Sequence, residues 1–144
     1  MVKRILFVCK HNIFRSRVAE ELFKKLIRKK NYKARSAGVI RWDKRDLRKD
    51  GSFEAEKRVA KKKGIKLSVK SRGLSSSLLK DTDIVVIVAD DVSFEIFKDK
   101  SFGGKLISWK IPDVKDEDKN KEKAALEIIL LIEEKIKKFV GKLR

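Results

Sequence analysis

Two of the stretches that read as strands are apolar at every position: Ile5-Leu6-Phe7-Val8 near the start and Ile84-Val85-Val86-Ile87-Val88-Ala89 in the middle. A strand with one face in water alternates apolar and polar residues. An uninterrupted apolar run rich in β-branched residues marks a strand covered on both faces. Covering both faces takes helices, and helical periodicity follows each run. Residues 16–30 carry Val18, Ala19, Leu22, Phe23, Leu26 and Ile27 at i, i+3 and i+4 spacing with charges opposite. Residues 120–140 place Ala124, Ala125, Ile128, Ile129, Ile132, Ile136 and Phe139 on one side in the same way. Further strands are expected at 32–37, ended by Gly38, and at 105–109. Further helices are expected at 52–63, stopped by Gly64, and in short form at 74–79 and 92–97, while 41–51 reads as a polar loop. Ser16 is the expected N-cap of the first long helix. The alternation of strand and helix predicts an open parallel α/β sheet, and 144 residues suit one domain, 1–144.

In sheets of this kind ligands bind beyond the carboxyl ends of the strands, where the strand order reverses. Cys9-Lys10-His11-Asn12-Ile13-Phe14-Arg15-Ser16 lies at such a place, after the first strand and before the first helix, and Cys9 is the only cysteine. One reading makes Cys9 a small apolar residue closing a strand and Arg15 a solvated charge. The other makes the segment an anion cradle. A tight strand-to-helix loop gathers backbone N–H groups, and the helix N-terminus adds unpaired donors and partial positive charge. Together they suit a tetrahedral oxyanion. Arg15 adds a planar fork for two of its oxygens. The same field favours the thiolate, the reactive form of a cysteine. Lys10 and His11 add to that field, and Ser16 can donate its hydroxyl to the sulfur. The spacing C-x5-R alone is common; its place between a buried strand and an amphipathic helix gives it weight.

A single cysteine excludes an intrachain disulfide and a cysteine-based zinc cluster, and it fits a reducing compartment. No metal and no cofactor are expected. No run approaches the roughly 18 apolar residues of a membrane span, and no targeting segment is recognisable, so a cytoplasmic location without a membrane partner is expected. The net charge is +18, and residues 1–80 hold 26 Lys and Arg against 7 Asp and Glu, while 81–144 hold 13 against 14. Such a field attracts phosphorylated ligands, acidic proteins or nucleic acid. The plain alternative is a solvated lysine-rich surface, and high Lys and Glu content also accompanies adaptation to heat. Nucleic acid stays open as a partner that no RNA-binding aromatic signature or zinc-finger spacing supports.

The segment from Val8 to Glu20, V-C-K-H-N-I-F-R-S-R-V-A-E, resembles the low-molecular-weight protein tyrosine phosphatases, whose signature reads V-C-x-G-N-x-x-R-S-x-x-A-E. Ser36-Ala37-Gly38 is similar to the family's S-A-G after the second strand. Trp42 falls where many members carry a tryptophan at the rim of the site. Gly64-Ile65 resembles the G-I after the second helix, Asp90 the aspartate that ends the long apolar strand, and Ile111-Pro112-Asp113 the P-D-P loop. The resemblance covers nearly the whole chain. It implies a three-layer sandwich with a central four-stranded parallel sheet, flavodoxin-like or phosphotyrosine phosphatase I-like. It also implies metal-free hydrolysis of a phosphomonoester. Cys9 attacks phosphorus and forms a phosphocysteine. Arg15 and the loop of Lys10, His11, Asn12, Ile13, Phe14 and Ser16 hold the oxygens. Asp113 protonates the leaving phenolate and then activates water. Asn12 is implied to shape the loop by hydrogen bonding with Ser36, and Ser36 and Trp42 to support the site. The implied ligands are a phosphorylated protein or small aryl phosphate, inorganic phosphate and other oxyanions.

The pattern also departs from the family. His11 replaces the usual Gly and resembles a C-x-H-N subset described as arsenate-reductase-like; if that position needs positive φ, His is costly there. Phe14 replaces a frequent Cys, so no second thiol protects Cys9. Arg17 replaces Pro, Val69 takes the place of a histidine that supports the loop, and Val114 follows Asp113 where the family has Pro. No tyrosine follows Val114, which leaves Trp42 and Phe14 as aromatic candidates for the rim. Three functions are therefore carried forward. The first is a cysteine-dependent phosphomonoester hydrolase. The second is a single-cysteine arsenate reductase coupled to a small thiol, since the thioredoxin-coupled form needs two further cysteines. The third is a non-catalytic oxyanion- or nucleic-acid-binding protein that keeps the loop.

Overall fold

A computed structural model of the chain describes residues 2–40, 51–67, 71–115 and 118–143. Strands β1 (Lys3–Cys9), β2 (Tyr32–Gly38), β3 (Ile84–Val88) and β4 (Lys105–Trp109) form one sheet in the order β2-β1-β3-β4. Every pairing is parallel. The helices are α1 (Arg15–Leu26), α2 (Ser52–Lys62), α3 (Ser76–Lys80), α4 (Glu95–Asp99) and α5 (Lys121–Lys142). This is the four-stranded parallel α/β architecture expected from the sequence.

The two apolar runs are buried because each presents alternate residues to a helical layer on either side. Ile5, Phe7, Val86 and Val88 pack with α1, α2 and α5, whereas Leu6, Val8, Val85 and Ile87 pack with Leu78, Leu79 and Phe97 from α3 and α4. On the first side Phe7, Phe23, Trp109 and Phe139 bring their rings together at centroid separations of 5.7 to 6.4 Å. Rings at such distances in tilted and edge-on arrangements gain beyond their burial, and they fix α1 and α5 against the sheet.

Several helix ends differ from expectation, each for a local reason. Helix α1 stops at Leu26; Ile27 is extended and gives its N–H to Phe23 O. Continuing the helix would stack Arg28 on Lys24 and Lys29 on Lys25, and like charges at i, i+4 oppose it. Ser16 is not the N-cap of α1. Phe14 holds that position without a side-chain cap, and Ser16 lies inside the first turn with its hydroxyl turned to Cys9. The short helices start later than expected, α3 after an Ser75 cap whose Oγ accepts from Leu78 N–H, and α4 at Glu95. Helix α5 begins at Lys121, one residue later than expected, because Asn120 serves as its N-cap, with Oδ1 accepting from Lys123 N–H.

The chain leaves β1 towards α1 on one face and β3 towards α4 on the other. A crevice opens at the carboxyl ends of these adjacent strands, where the order reverses. Cys9, Gly38, Asp90, Asp91 and Asp113 all follow or end strands at this edge. Among the described residues, no helix is long and apolar enough to cross a membrane.

Candidate active site

The chain turns out of β1 at Cys9, and the extension of β2 governs how. Val39 N–H and Ile40 N–H donate to the carbonyls of Cys9 and Lys10, at 3.1 and 2.9 Å. A trans peptide points its C=O and N–H in opposite directions, so the N–H groups of Lys10 and His11 face away from β2. Asn12 then adopts φ +58°, in the left-handed region that Asn tolerates better than most residues. The backbone demand thus falls on Asn12 and not on position 11, and a histidine stands in place of glycine there without strain.

Asn12 N–H points at Cys9 Sγ, 3.3 Å away. Among the described residues, the N–H groups of Lys10, His11, Ile13, Phe14, Arg15 and Ser16 have no acceptor. Those at the start of α1 are the orphan donors every helix leaves; the others result from the turn. One short loop therefore holds a set of unspent donors around a single thiol.

A hydrogen-bonded chain aims at that thiol. Asn12 Nδ2 donates to Ser16 Oγ at 2.7 Å, and Ser16 Oγ lies 3.0 Å from Cys9 Sγ, placed to give its proton to the thiolate, which can only accept. Asn12 Oδ1 accepts from Arg72 N–H at 2.9 Å, which anchors the loop to the segment beside Gly38. The expected bond between Asn12 and Ser36 is not formed. The Asn12 amide is engaged by Ser16 and Arg72, and Ser36 donates to Glu20 on α1 instead. Ser36 supports the site through the helix.

Gly38 passes so close to the loop that a Cβ there would stand 2.6 Å from the His11 carbonyl carbon and 2.8 Å from Asn12 N. Both neighbours are backbone, so the loop itself must move. Gly38→Ala is expected to lower kcat/KM for an aryl phosphate by about 10²-fold, since a misplacement of this order costs that much. Circular dichroism should show an unchanged fold, and a full-activity variant would mean that the loop has slack.

Arg15 is 2% exposed, yet charged, and three carboxylates surround it. Its Nη2 donates to Asp91 at 3.1 and 3.4 Å, and its Nη1 donates to Ile111 O at 2.9 Å. Asp90 and Asp113 stand 3.6 and 3.7 Å from the guanidinium. A buried charge needs such partners. They hold the planar group in place, and Nε–H has no protein acceptor among the described residues.

These side chains enclose a small cavity of about 50 Å³ lined by Cys9, His11, Ile13, Phe14, Arg15, Glu56 and Asp113. Asp113 Oδ1 accepts from Val114 N–H at 2.9 Å, which orients the carboxyl at the cavity. His11 Nδ1 is buried and has no hydrogen-bond partner among the described residues. Burial first, and the Lys10 charge second, hold the imidazole below its ordinary pKa, against the upward pull of Asp113 and Asp91. Burial thus favours the neutral ring.

Of the expected site residues, Cys9, His11, Ile13, Phe14, Arg15 and Asp113 meet at this cavity, and Asn12 and Ser16 brace it. Lys10 supplies the loop carbonyl bound by Ile40. Phe14 is not a rim aromatic: at 3% exposure it belongs to the core and shows the cavity only one side. Trp42 and Val69 lie outside the described residues. Two acidic residues escaped the sequence reading. Asp91 is the nearest carboxylate to Arg15, and Glu56, 5% exposed on α2, forms part of the cavity wall. Glu56 did carry a signal, since it shares the buried face of α2 with Phe53 and Ala60, a position where a charge is unusual.

A comparison with curated protein sequences gives no match. Among solved structures, the fold is shared with an arsenate reductase from Archaeoglobus fulgidus DSM 4304, 29% identical, covering 95% of this chain and 98% of that one, with a TM-score of 0.69. A protein tyrosine phosphatase from Entamoeba histolytica is 24% identical over 98% of this chain and 96% of its own, with a TM-score of 0.76. Vibrio vulnificus Wzb in complex with benzylphosphonate is 24% identical over 99% of both chains, with a TM-score of 0.74. The family model described as low molecular weight phosphotyrosine protein phosphatase matches residues 4–144, and the chain belongs to that family.

Proposed function

We propose that Cys9, Arg15 and Asp113 hydrolyse a phosphomonoester through a phosphocysteine intermediate, with an aryl phosphate or a phosphorylated protein as substrate. The reaction class follows from the family, that of cysteine-based phosphatases. The observation that carries the residue assignment is the loop of unspent N–H donors around one thiol, with the anchored Arg15 guanidinium beside it.

The steps use what these groups can do. Cys9 sulfur attacks phosphorus in line with the leaving oxygen; the S–P bond forms as the P–O bond breaks. The transferring group spreads its charge over three equatorial oxygens, which the loop N–H groups and Arg15 receive. Asp113 gives its proton to the departing oxygen. Water then attacks phosphorus, Asp113 takes the water proton, and the S–P bond breaks to return the thiolate and release phosphate. Asn12 and Ser16 direct a hydrogen bond at the sulfur in both steps. Asp91 and Ile111 O keep Arg15 facing the oxygens.

The bound benzylphosphonate of the Vibrio vulnificus relative supports an oxyanion-accepting loop here. The resemblance to the Archaeoglobus fulgidus arsenate reductase favours a second reading, arsenate reduction with a small thiol completing the work of the lone Cys9. The whole of 1–144 acts as one unit in either reading, and a cytoplasmic setting keeps its thiol reduced. One assay separates the two: p-nitrophenyl phosphate hydrolysis measured beside arsenate reduction with a small thiol present. Hydrolysis without arsenate turnover is expected; arsenate turnover without hydrolysis overturns the phosphatase assignment.

A further inference from the structure

The chain carries a net charge of +18. At the carboxyl edge of the sheet Arg15 is surrounded by Asp90, Asp91 and Asp113. At the opposite edge, where the strands begin, Asp81 and Asp83 meet Arg4 and Arg35, and cations cluster where α1, α2 and α5 end. Contacts join those ends into one surface. Lys25 Nζ donates to Gly64 O just beyond α2, and Lys29 Nζ and Tyr32 Oη both donate to Leu143 O at the end of α5, at 3.2 and 3.3 Å. On this surface lie the turn Arg28-Lys29-Lys30 and the run Lys61-Lys62-Lys63, all exposed. Among the described residues, none of these six has a carboxylate within 4.0 Å.

Helix C-termini favour a cation or two in the last turn. Only Lys62 is reached by a described carboxylate, Glu122, and that at longer range; six clustered cations repel one another and oppose folding. Heat-adapted surfaces organise their lysines into ion-pair networks; among the described residues, none of these six cations belongs to one. The chemistry therefore suits a polyanion. Among the described residues, the apolar side chains of this surface are engaged: Leu26, Ile27 and Tyr32 are partly buried against the core, and the Tyr32 hydroxyl bonds Leu143 O. Without a side chain to insert, a membrane would be held only weakly, and without exposed rings single-stranded bases have nothing to stack on. The phosphate backbone of a duplex needs only cations, because binding releases its condensed counterions.

We infer that the surface formed by the ends of α1, α2 and α5 binds the backbone of double-stranded nucleic acid without sequence preference, at the edge of the sheet opposite the Cys9 cavity. The inference stands independently of the reaction proposed above. It is tested by fluorescence anisotropy with a labelled DNA duplex of mixed sequence. Six neutralised phosphates give an affinity that falls about 10³-fold between roughly 50 and 200 mM salt. The triple variants R28E/K29E/K30E and K61E/K62E/K63E are each expected to weaken binding more than tenfold while circular dichroism is unchanged. Inorganic phosphate at matched ionic strength is expected to leave the duplex bound. The inference is overturned if no binding is detected at low salt or if neither triple variant weakens it. Displacement by phosphate at matched ionic strength also overturns it, since the duplex would then occupy the catalytic loop. Tighter binding to phosphatidylserine vesicles than to the duplex at equal salt assigns the surface to membranes instead.

Discussion

Cys9→Ser is expected to abolish p-nitrophenyl phosphate hydrolysis, by about 10⁴-fold or more, while inorganic phosphate still binds. Loss of a covalent nucleophile removes the whole chemical path, and such losses are of this size or larger. The serine oxygen is nearly isosteric with sulfur and can keep the contacts made by Ser16 and Asn12 N–H. It is not ionised near neutral pH, so it does not attack phosphorus at a useful rate. The anion site should survive because its parts do not depend on the thiol. Arg15 is anchored by Asp91 and Ile111 O, and Asn12 keeps its left-handed turn through Ser16 and Arg72. Calorimetric titration with phosphate should therefore give an affinity within a few-fold of the parent. Unchanged turnover would remove Cys9 from the mechanism. Loss of both turnover and phosphate binding would show that the thiol shapes the loop.

What could be read from the amino-acid order depended on how local the cause was. The apolar runs 5–8 and 84–89 announced doubly covered strands because burial on both faces leaves no room for a polar residue. The strand-loop-helix unit around Cys9 lies within a few residues, so its chemistry was legible. Helix ends were less so: α1 stops where lysines and Arg28 would stack, a tertiary and electrostatic balance that periodicity does not record. Side-chain partners were least legible. Ser16 looked like a cap, but the sulfur it faces matters more than the helix it begins. Ser36 looked like a partner for Asn12, but the parallel pairing of β2 with β1 sets it against Glu20 on α1. Asp91 is 76 residues from Arg15, and only the adjacency of β1 and β3 brings them together. Distance in sequence also hid Glu56, whose meaning depends on α2 reaching the cavity wall.

The strongest test of the proton donor is Asp113→Asn, read across leaving groups. Asn keeps the size of the side chain and an oxygen to accept from Val114 N–H, so its placement should persist. It cannot deliver a proton to the departing oxygen. The quantity to follow is kcat/KM, which reports the steps through formation of the phosphocysteine. Turnover alone would mix in the second step, where Asp113 also serves and the leaving group has gone. With p-nitrophenyl phosphate the departing oxygen needs little protonation, and the loss in kcat/KM should be small. With phenyl phosphate it should approach the about 10²- to 10⁴-fold expected for general acid catalysis. A competing role is electrostatic, for the Asp113 carboxylate also lies 3.7 Å from Arg15. Removing that charge would affect oxyanion binding equally for every ester and would tighten inorganic phosphate. Equal losses on both esters would therefore assign Asp113 to holding Arg15, and a loss that grows with the basicity of the leaving oxygen assigns it the proton.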